Sequence, residues 1–301
     1  MHNIDRFAAL FQGRLDAYGT EDGGCDRAIN GSEAQYLDRI EDHLYSNLPM
    51  GVYPMVPAGE GEFAVGWGCV DFDEGDEASW VYALNLQAVL EALGVTAWIE
   101  RSRSKGYHVW VFLTEDVSAT SMRRALLGAT QIAQAPTKEI NPKAETLKEG
   151  KIGNYVRLPY LNGHLNRRVM VDPQSTNPIE FNSFVEQAWE LRATPEDIEK
   201  LVPLWAAPPK PKRATPLPSS SDKPAIQRLG GLAYTILQGG PLDGSDRSGT
   251  LWKLANLMYV DGLTWDEAQE LLYDADVRWG KYHDRDATDR LDKMLDDIWG
   301  N

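Results

Sequence analysis

The most regular stretch of the chain is the alternation of residues between Phe63 and Asp73. Every second residue of this stretch shares one face of a β-strand, because a strand repeats every two residues. That face carries Phe63, Val65, Trp67, Cys69, Asp71 and Asp73. The pattern therefore predicts a strand whose apolar face ends in two neighbouring carboxylates.

Strands and helices alternate through the rest of residues 1–205. Apolar residues at helical spacing predict a helix over residues 79–93, stopped by Gly94, and a second helix capped by Ser118. Short strands are predicted over residues 95–100, 107–113 and 168–172. Strands interleaved with helices are typical of α/β and α+β domains, and we expect this fold class here.

A break in the pattern follows at residues 206–224, where proline, serine and basic residues replace any apolar periodicity. We interpret this segment as a linker. Residues 225–301 are rich in helix formers, and Thr264 followed by Glu267 forms a capping box. The predicted organisation is an α/β domain over residues 1–205, the linker, and a small all-α helical bundle over residues 225–301.

Charge is distributed unevenly along the chain. The formal net charge of -15 argues against a protein that coats nucleic acid with its whole surface. Residues 136–168 nevertheless carry seven basic side chains against three acidic ones, whereas residues 261–301 carry five against twelve. A polyanion should therefore prefer the first region and avoid the second.

The cysteines and the hydropathy of the chain argue against a disulfide-rich protein, a zinc protein and a membrane protein. Cys25 and Cys69 are the only cysteines and lie far apart, so we expect no disulfide framework and no zinc site. No stretch has the run of about 20 apolar residues that a membrane helix needs. We expect a cytoplasmic protein without a membrane partner, in which any metal is held by oxygen ligands.

Three carboxylates are candidate metal ligands. Asp71 and Asp73 project from one strand end, and Asp172 ends the predicted strand over residues 168–172. Oxygen ligands of this kind suit two Mg²⁺ or Mn²⁺ ions. Taken alone, an Asp-x-Asp motif is also typical of solvated turns, and Asp172 followed by Pro173 is typical of an ordinary turn.

Candidate anion-binding residues lie in two further segments. The loop before the strand over residues 107–113 carries Ser102, Ser104, Lys105 and then His108, and a later strand carries Arg157. Hydroxyl, ammonium, imidazole and guanidinium groups can all bind a triphosphate. The alternatives are a basic hairpin loop, a core histidine and a surface arginine.

The order of these motifs resembles the archaeo-eukaryotic primase superfamily, in its phage and plasmid primase-polymerases. The motifs are Val70-Asp71-Phe72-Asp73, a Ser-rich loop leading into His108-Val109-Trp110, then Gly153-Asn154-Tyr155-Val156-Arg157-Leu158-Pro159 and Val171-Asp172. The resemblance covers roughly residues 1–190 and implies an RRM-like catalytic sheet with an N-terminal α/β unit. It implies metal binding and catalysis by Asp71, Asp73 and Asp172, and nucleotide binding by Ser102, Ser104, Lys105, His108 and Arg157.

The resemblance also implies a function. We expect a DNA-dependent primase-polymerase that uses two divalent ions, Mg²⁺ or Mn²⁺, to make primers from nucleoside triphosphates on single-stranded DNA in phage or plasmid replication. The bundle is expected to bind template or a partner protein. No Gly-x-x-x-x-Gly-Lys-Ser/Thr loop is present, so a separate replicative helicase is expected as a partner, in a bacterial host or phage-infected cell.

Two other functions remain open from the sequence. The first is a non-catalytic replication-initiation or template-binding protein, although the intact carboxylates speak against it. The second is a metal-dependent nuclease that uses the same three acids. A nuclease has no need of a triphosphate-binding loop, so preferential binding of nucleoside triphosphates over DNA ends would separate it from a polymerase.

Overall fold

The computed structural model describes residues 2–27, 31–103, 106–163, 167–206, 223–241 and 247–300. Its contacts divide the chain into two units, Met1–Pro208 and Pro209–Asn301. The first unit mixes helices and strands, and the second contains helices. The predicted linker over residues 206–224 lies almost entirely outside the described residues.

Two antiparallel sheets form the frame of the first unit. In chain order the strands are β1 (Ala17–Gly19), β2 (Cys25–Arg27), β3 (Gly51–Val52), β4 (Val56–Gly59), β5 (Glu62–Phe72), β6 (Trp98–Arg101), β7 (Tyr107–Ser118), β8 (Ile140–Asn141), β9 (Val156–Arg157) and β10 (Val169–Met170). The smaller sheet has the order β2-β1-β3-β9, and the larger has the order β10-β6-β7-β5-β4. Strand β8 pairs with β5 in addition.

Helices surround these sheets and form the second unit. Those of the first unit are α1 (Asn3–Leu10), α2 (Glu33–Tyr45), α3 (Asp76–Ala92), α4 (Ala119–Ile132), α5 (Phe181–Glu190) and α6 (Pro195–Leu201). Those of the second are α7 (Ala225–Arg228), α8 (Gly231–Gly239), α9 (Arg247–Val260), α10 (Trp265–Trp279) and α11 (Asp289–Trp299). None of the described helices is both long and apolar enough to cross a membrane.

The predicted fold class is confirmed, and most element boundaries lie close to those predicted. Ser118 caps α4 by accepting a hydrogen bond from the backbone N–H of Ser121. Helix α3 begins at Asp76, before the predicted start at Ser79, because Ser79 is buried and its hydroxyl accepts a hydrogen bond from the backbone of Glu74. Acidic residues in that first turn also suit the positive end of a helix.

The two faces of the larger sheet are covered differently. Gly68 faces α4, where a side chain would collide with Met122. Trp67 and Trp110 pack against each other on the opposite face, and Phe11, just after α1, packs edge-on against Trp110. The residues on this second face towards the end of β5 are the polar ones, so the sheet leads from a buried aromatic core to an open, charged edge.

The second unit has its own apolar core, built from buried residues of α8, α9, α10 and α11. The predicted capping box is present, with Thr264 and Glu267 each accepting a hydrogen bond from the other's backbone N–H. The carboxylate of Asp276 is buried and accepts hydrogen bonds from the backbone N–H groups of Lys281, Tyr282 and His283. This carboxylate fixes the turn that follows α10.

Candidate active site

Asp71 and Asp73 lie at the end of strand β5, where the larger sheet opens to solvent; we call this end of the sheet the open edge. Strand β5 forms because buried Val65, Trp67 and Cys69 alternate along one face. Asp71 continues that face and its side chain is 34% exposed, while Asp73 follows the strand and is exposed. Asp71 therefore lies within the strand, and Asp73 follows immediately after its end.

His108 lies directly opposite Asp71 in the register of β5 and β7. Its Nε2 is 3.5 Å from Oδ1 of Asp71, and its Nδ1 is 2.8 Å from Oε2 of Glu100 on β6. Trp110 donates a hydrogen bond from Nε1 to the same oxygen of Glu100 at 2.7 Å. The imidazole is thus held between two carboxylates, with Nε2 directed to the open edge.

The two carboxylates change the pKa of the imidazole. Burial by itself would lower the pKa of His108, but Glu100 and Asp71 outweigh it and raise the pKa to about 10. Burial would raise the pKa of Asp71, and the hydrogen bond and charge of His108, with Lys143, instead hold it below its usual value. At neutral pH the edge therefore carries an imidazolium beside an ionised Asp71.

Strand β8 adds polar groups on the other side of β5. Asn141 pairs with Cys69, and the backbone N–H of Asp71 donates to the carbonyl of Glu139 at 2.8 Å. This register puts Glu139 opposite Asp71, on the same face. The side chain of Glu139 forms an ion pair with Lys143. The Oδ1 atom of Asn141 is buried without a hydrogen-bond partner in the described part of the chain.

The structure describes residues 102, 103 and 106 of the predicted phosphate-binding loop. The backbone N–H of Ser102 donates to the carbonyl of Gly106 at 3.0 Å, and the hydroxyl of Ser102 accepts from the N–H of Gly106 at 3.2 Å. A side chain at position 106 would come within 2.4 Å of the carbonyl oxygen of Phe72, which explains the glycine. Ser104 and Lys105, both predicted to bind nucleotide, lie outside the described residues.

Arg157 lies on β9 of the smaller sheet and meets a carboxylate from the β1–β2 turn. Its guanidinium donates to the backbone carbonyl of Glu21 at 2.9 Å, and its Nε is 3.7 Å from the Glu21 carboxylate. Arg168 donates to both carboxylate oxygens of Glu21, at 2.7 and 2.9 Å, and Arg103 donates to one of them at 2.6 Å. Three arginines therefore converge on one glutamate.

Most of these groups line one cavity of about 290 Å³. Glu100 and Glu21 are not lining residues, but they contact the lining residues His108 and Arg168. Its lining residues are Asp71, Asp73, Ser102, Arg103, His108, Glu139, Asn141, Lys143, Asn154, Tyr155, Val156, Arg157 and Arg168. Carboxylates and cations are both present, which is what a site for a metal-bound polyphosphate requires. Within the described ranges, no group of three or more His, Cys, Asp or Glu side chains is arranged so as to hold a metal ion.

Asp172 does not line this cavity. Strand β10 pairs with β6 so that Met170, not Asp172, stands level with Glu100 and His108. The Oδ1 atom of Asp172 accepts hydrogen bonds from the backbone N–H groups of Gln174 and Ser175, both at 2.8 Å. The structure therefore brings Asp71 and Asp73 together and places Asp172 at a separate turn, where it has a turn-capping role.

The sequence analysis missed several residues of the cavity. Glu139, Asn141 and Lys143 lie on or beside a strand of two residues, too short for a readable alternation. Their segment is basic as a whole, and this regional property does not identify the single residues that reach the cavity. Glu100 and Glu21 carry no local motif, and only the tertiary structure brings them into contact with His108 and Arg168, which line the cavity.

Arg247, at the start of α9, is engaged in the structure of the C-terminal bundle. Arg247 donates hydrogen bonds to the carbonyl oxygens of Trp279 and Gly280, at 2.7 and 2.8 Å. These carbonyls belong to the end of α10, where a cation is favourable. Arg247 therefore stabilises the bundle, and these two hydrogen bonds occupy its guanidinium.

Two solved structures are similar to this chain, one over part of its length and the other over nearly all of it. The polymerase domain from Mycobacterium tuberculosis ligase D, in complex with DNA, shares 15% identity with a TM-score of 0.35, over 61% of this chain and 86% of that one. The primase RepB' shares 12% identity with a TM-score of 0.25, over 98% of this chain and 94% of that one. No curated protein sequence matches the chain.

A family profile matches the part of the chain that builds the cavity. The match covers residues 21–188, which is more than half of the sequence. It begins at Glu21 and includes Asp71, Asp73, His108 and Arg157. The chain belongs to the archaeo-eukaryotic primase family of the TOTE conflict systems.

Proposed function

We propose that this protein is a DNA-dependent primase-polymerase that makes primers from nucleoside triphosphates on single-stranded DNA. The observation that carries the proposal is the one cavity that is lined by the carboxylates of Asp71 and Asp73 together with the cationic side chains of His108 and Arg157. Nucleotidyl transfer needs both kinds of group within the length of one triphosphate, and membership of a primase family agrees with this chemistry.

The residues of the cavity fit the divalent ions that such a reaction uses. Asp71 and Asp73 offer carboxylate oxygens, and the buried Oδ1 of Asn141 is an oxygen without a hydrogen-bond partner among the described residues. Oxygen donors of this kind suit Mg²⁺ or Mn²⁺. When bound, two such ions activate the attacking hydroxyl and stabilise the charge that develops on the phosphates.

Glu139 is the third carboxylate in this proposal, in the place predicted for Asp172. It stands opposite Asp71 across β5 and β8 and lines the cavity, whereas Asp172 caps a separate turn. In the structure Glu139 is paired with Lys143. Turning the Glu139 carboxylate from Lys143 towards Asp71 would complete a set of three acidic ligands and leave the Lys143 ammonium beside the phosphates.

The triphosphate lies at the basic side of the cavity in this proposal. Ser102 offers a hydroxyl, His108 presents Nε2 at the open edge, and Arg157 offers a guanidinium. Ser104 and Lys105 belong to the same loop by sequence and retain their predicted role. These groups would hold the nucleotide so that its α-phosphate meets the attacking hydroxyl in line.

Several parts of the functional prediction reach beyond the cavity. Template or partner binding by the helical bundle, a separate replicative helicase, and a setting in phage or plasmid replication stay predictions. Location in the cytoplasm of a bacterial host or phage-infected cell stays a prediction too.

A priming assay tests the proposal. The full chain is incubated with unprimed single-stranded DNA, labelled nucleotides and Mg²⁺ or Mn²⁺, beside the double variant Asp71→Ala, Asp73→Ala. A matched control is Glu74→Gln, Glu77→Gln, which removes two charges from the same acidic stretch outside the cavity. We expect products from the wild type and the control and none from the aspartate variant.

The other outcomes point to the alternatives. No product from the wild type on either unprimed or primed templates would contradict the proposal and favour a template-binding protein. Shortening of the template DNA without nucleotide incorporation would instead favour a metal-dependent nuclease.

A further inference from the structure

Glu21 is the one residue of the first unit whose carboxylate meets three arginines in the described structure. It accepts from Arg168 at 2.7 and 2.9 Å and from Arg103 at 2.6 Å, and it lies 3.7 Å from Nε of Arg157. The three arginines line the cavity of the proposed active site, whereas Glu21 comes from the turn between β1 and β2.

The three arginines differ in exposure, and this difference defines the role of Glu21. The side chain of Arg168 is 5% exposed, that of Arg157 is 32% exposed and that of Arg103 is 61% exposed. A guanidinium as buried as that of Arg168 needs an anionic partner, because an uncompensated buried charge is strongly destabilising. Glu21 supplies an anionic partner to Arg168, and the same carboxylate also lies beside Arg103 and Arg157.

A guanidinium binds carboxylate and phosphate with the same planar, two-pronged geometry. The Glu21 carboxylate therefore has the position and the hydrogen-bonding pattern of an anionic oxygen pair at the basic side of the cavity. A phosphate group there could replace it and would bring more negative charge to the same arginines.

Glu21 is able to leave this position without unfolding the turn. Its side chain is 37% exposed, so rotation about its own bonds carries the carboxylate towards solvent. The turn itself is held separately, since Tyr155 donates a hydrogen bond from its hydroxyl to the carbonyl of Thr20 at 2.9 Å. The lowered pKa of Glu21, which burial opposes and the bonds from Arg168 and Arg103 produce, keeps it ionised and available to compete.

We propose that Arg103, Arg157 and Arg168 form the subsite for the terminal phosphates of the nucleotide, and that Glu21 occupies it as an internal ligand until a polyphosphate displaces it. This inference rests on the proposed function for the identity of its ligand. It adds two arginines to the binding site and makes Glu21 a residue that weakens nucleotide affinity.

Binding of inorganic tripolyphosphate tests the inference without any polymerisation. Isothermal titration of the full chain, without template or metal, gives a dissociation constant for the wild type and for Glu21→Gln. Removing the competing charge should tighten binding by about threefold to tenfold. The matched control Asp26→Asn removes one exposed negative charge from the same hairpin and should leave the dissociation constant unchanged.

Stability of the variants gives a second measurement. Glu21→Gln should melt at a lower temperature than the wild type, and tripolyphosphate should raise its melting temperature by a larger amount, since a ligand stabilises the state that binds it. If Glu21→Gln does not fold, Glu21→Asp serves instead, because its shorter side chain keeps the charge but loses reach to Arg168. It should show a smaller tightening in the same direction.

Unchanged or weaker tripolyphosphate binding by the folded Glu21 variants would overturn the inference. Glu21 would then only pair with the three arginines and hold them in position. Tightened binding together with a wild type that makes no DNA product would sustain the inference and contradict the proposed polymerase function alone.

Discussion

Glu100 and His108 form a buried pair in which Oε2 of the glutamate lies 2.8 Å from Nδ1 of the imidazole. The side chain of Glu100 is fully buried, and Trp110 donates a second hydrogen bond to the same oxygen. Because the partner of one imidazole nitrogen fixes the proton and the orientation of the ring, Glu100 directs Nε2 of His108 towards Asp71 and the cavity.

Replacing Glu100 by glutamine should lower kcat for primer extension by about tenfold or more, because the neutral amide holds the imidazole less firmly. The effect on KM for the nucleotide should be smaller, since Arg157 is untouched. Steady-state primer extension checks this, with folding confirmed by circular dichroism. Glu115→Gln, at an exposed position of β7, is the control. An unchanged kcat in Glu100→Gln would contradict the conclusion that Glu100 orients His108.

The third carboxylate gives a second prediction. Glu139→Gln should lower nucleotide incorporation by about a hundredfold if it completes the acidic set. Asp172→Asn should retain most of the activity, because that side chain caps a turn outside the cavity. Metal-dependent incorporation on a primed template distinguishes the two variants. The reverse ranking would restore the role that the motif pattern assigned to Asp172.

The parts of the fold that local periodicity specifies could be predicted from the sequence. Strand β5 and the carboxylates at its end follow from an alternation of eleven residues, and Ser118 and Thr264 mark helix starts by their side-chain caps. In each case the physical signal lies within one turn or one strand. The strand that carries His108 follows from its own alternation, whereas the place of His108 opposite Asp71 is set by the pairing of β5 with β7.

Residues brought to the cavity by pairing between distant segments could not be predicted in this way. Strand β8 has two residues, and only its ladder with β5 identifies Glu139 as the neighbour of Asp71. Glu21 is separated from Arg168 by 147 positions in the chain. Asp172 ends a short apolar run, a feature that a turn-capping aspartate shares with a metal ligand.

His43 gives a pH-dependent stability prediction away from the active site. It is buried, donates from Nε2 to the carbonyl of Pro159 at 2.8 Å, and accepts at Nδ1 from the N–H of Met50 at 3.3 Å. Burial lowers its pKa to about 4, from a usual value of 6.5. Between these values the unfolded chain binds a proton that the folded chain does not, so stability falls as the pH falls through this window.

The contribution of His43 should amount to a loss of about 3 kcal/mol in the free energy of unfolding between pH 7 and pH 4. His43→Gln, which retains a donor for Pro159, should lose correspondingly less over the same range. Urea unfolding at a series of pH values measures the difference, and carboxylate titrations cancel in the comparison. His283→Gln at an exposed position is the control. Equal pH slopes for wild type and His43→Gln would contradict the assignment.

Asp276 gives a prediction for the helical bundle. Asp276→Ala removes the acceptor of three backbone N–H groups, at Lys281, Tyr282 and His283, and should destabilise the second unit by about 2–4 kcal/mol. Amide hydrogen exchange in the full chain should become faster at residues 281–283. Asp274→Ala, at an exposed position on the same helix, should leave that exchange rate as it is. Unchanged exchange in Asp276→Ala would show that other groups hold the turn.

The central claim is that the carboxylates at the end of β5 carry out nucleotidyl transfer. The most direct measurement is single-nucleotide extension of a primed template with Mn²⁺, with incorporated nucleotide and released pyrophosphate quantified together. For the wild type, we expect one pyrophosphate for each nucleotide added. For Asp71→Asn and for Asp73→Asn, we expect neither, although tripolyphosphate still binds. Incorporation at the wild-type rate by either aspartate variant would contradict the claim.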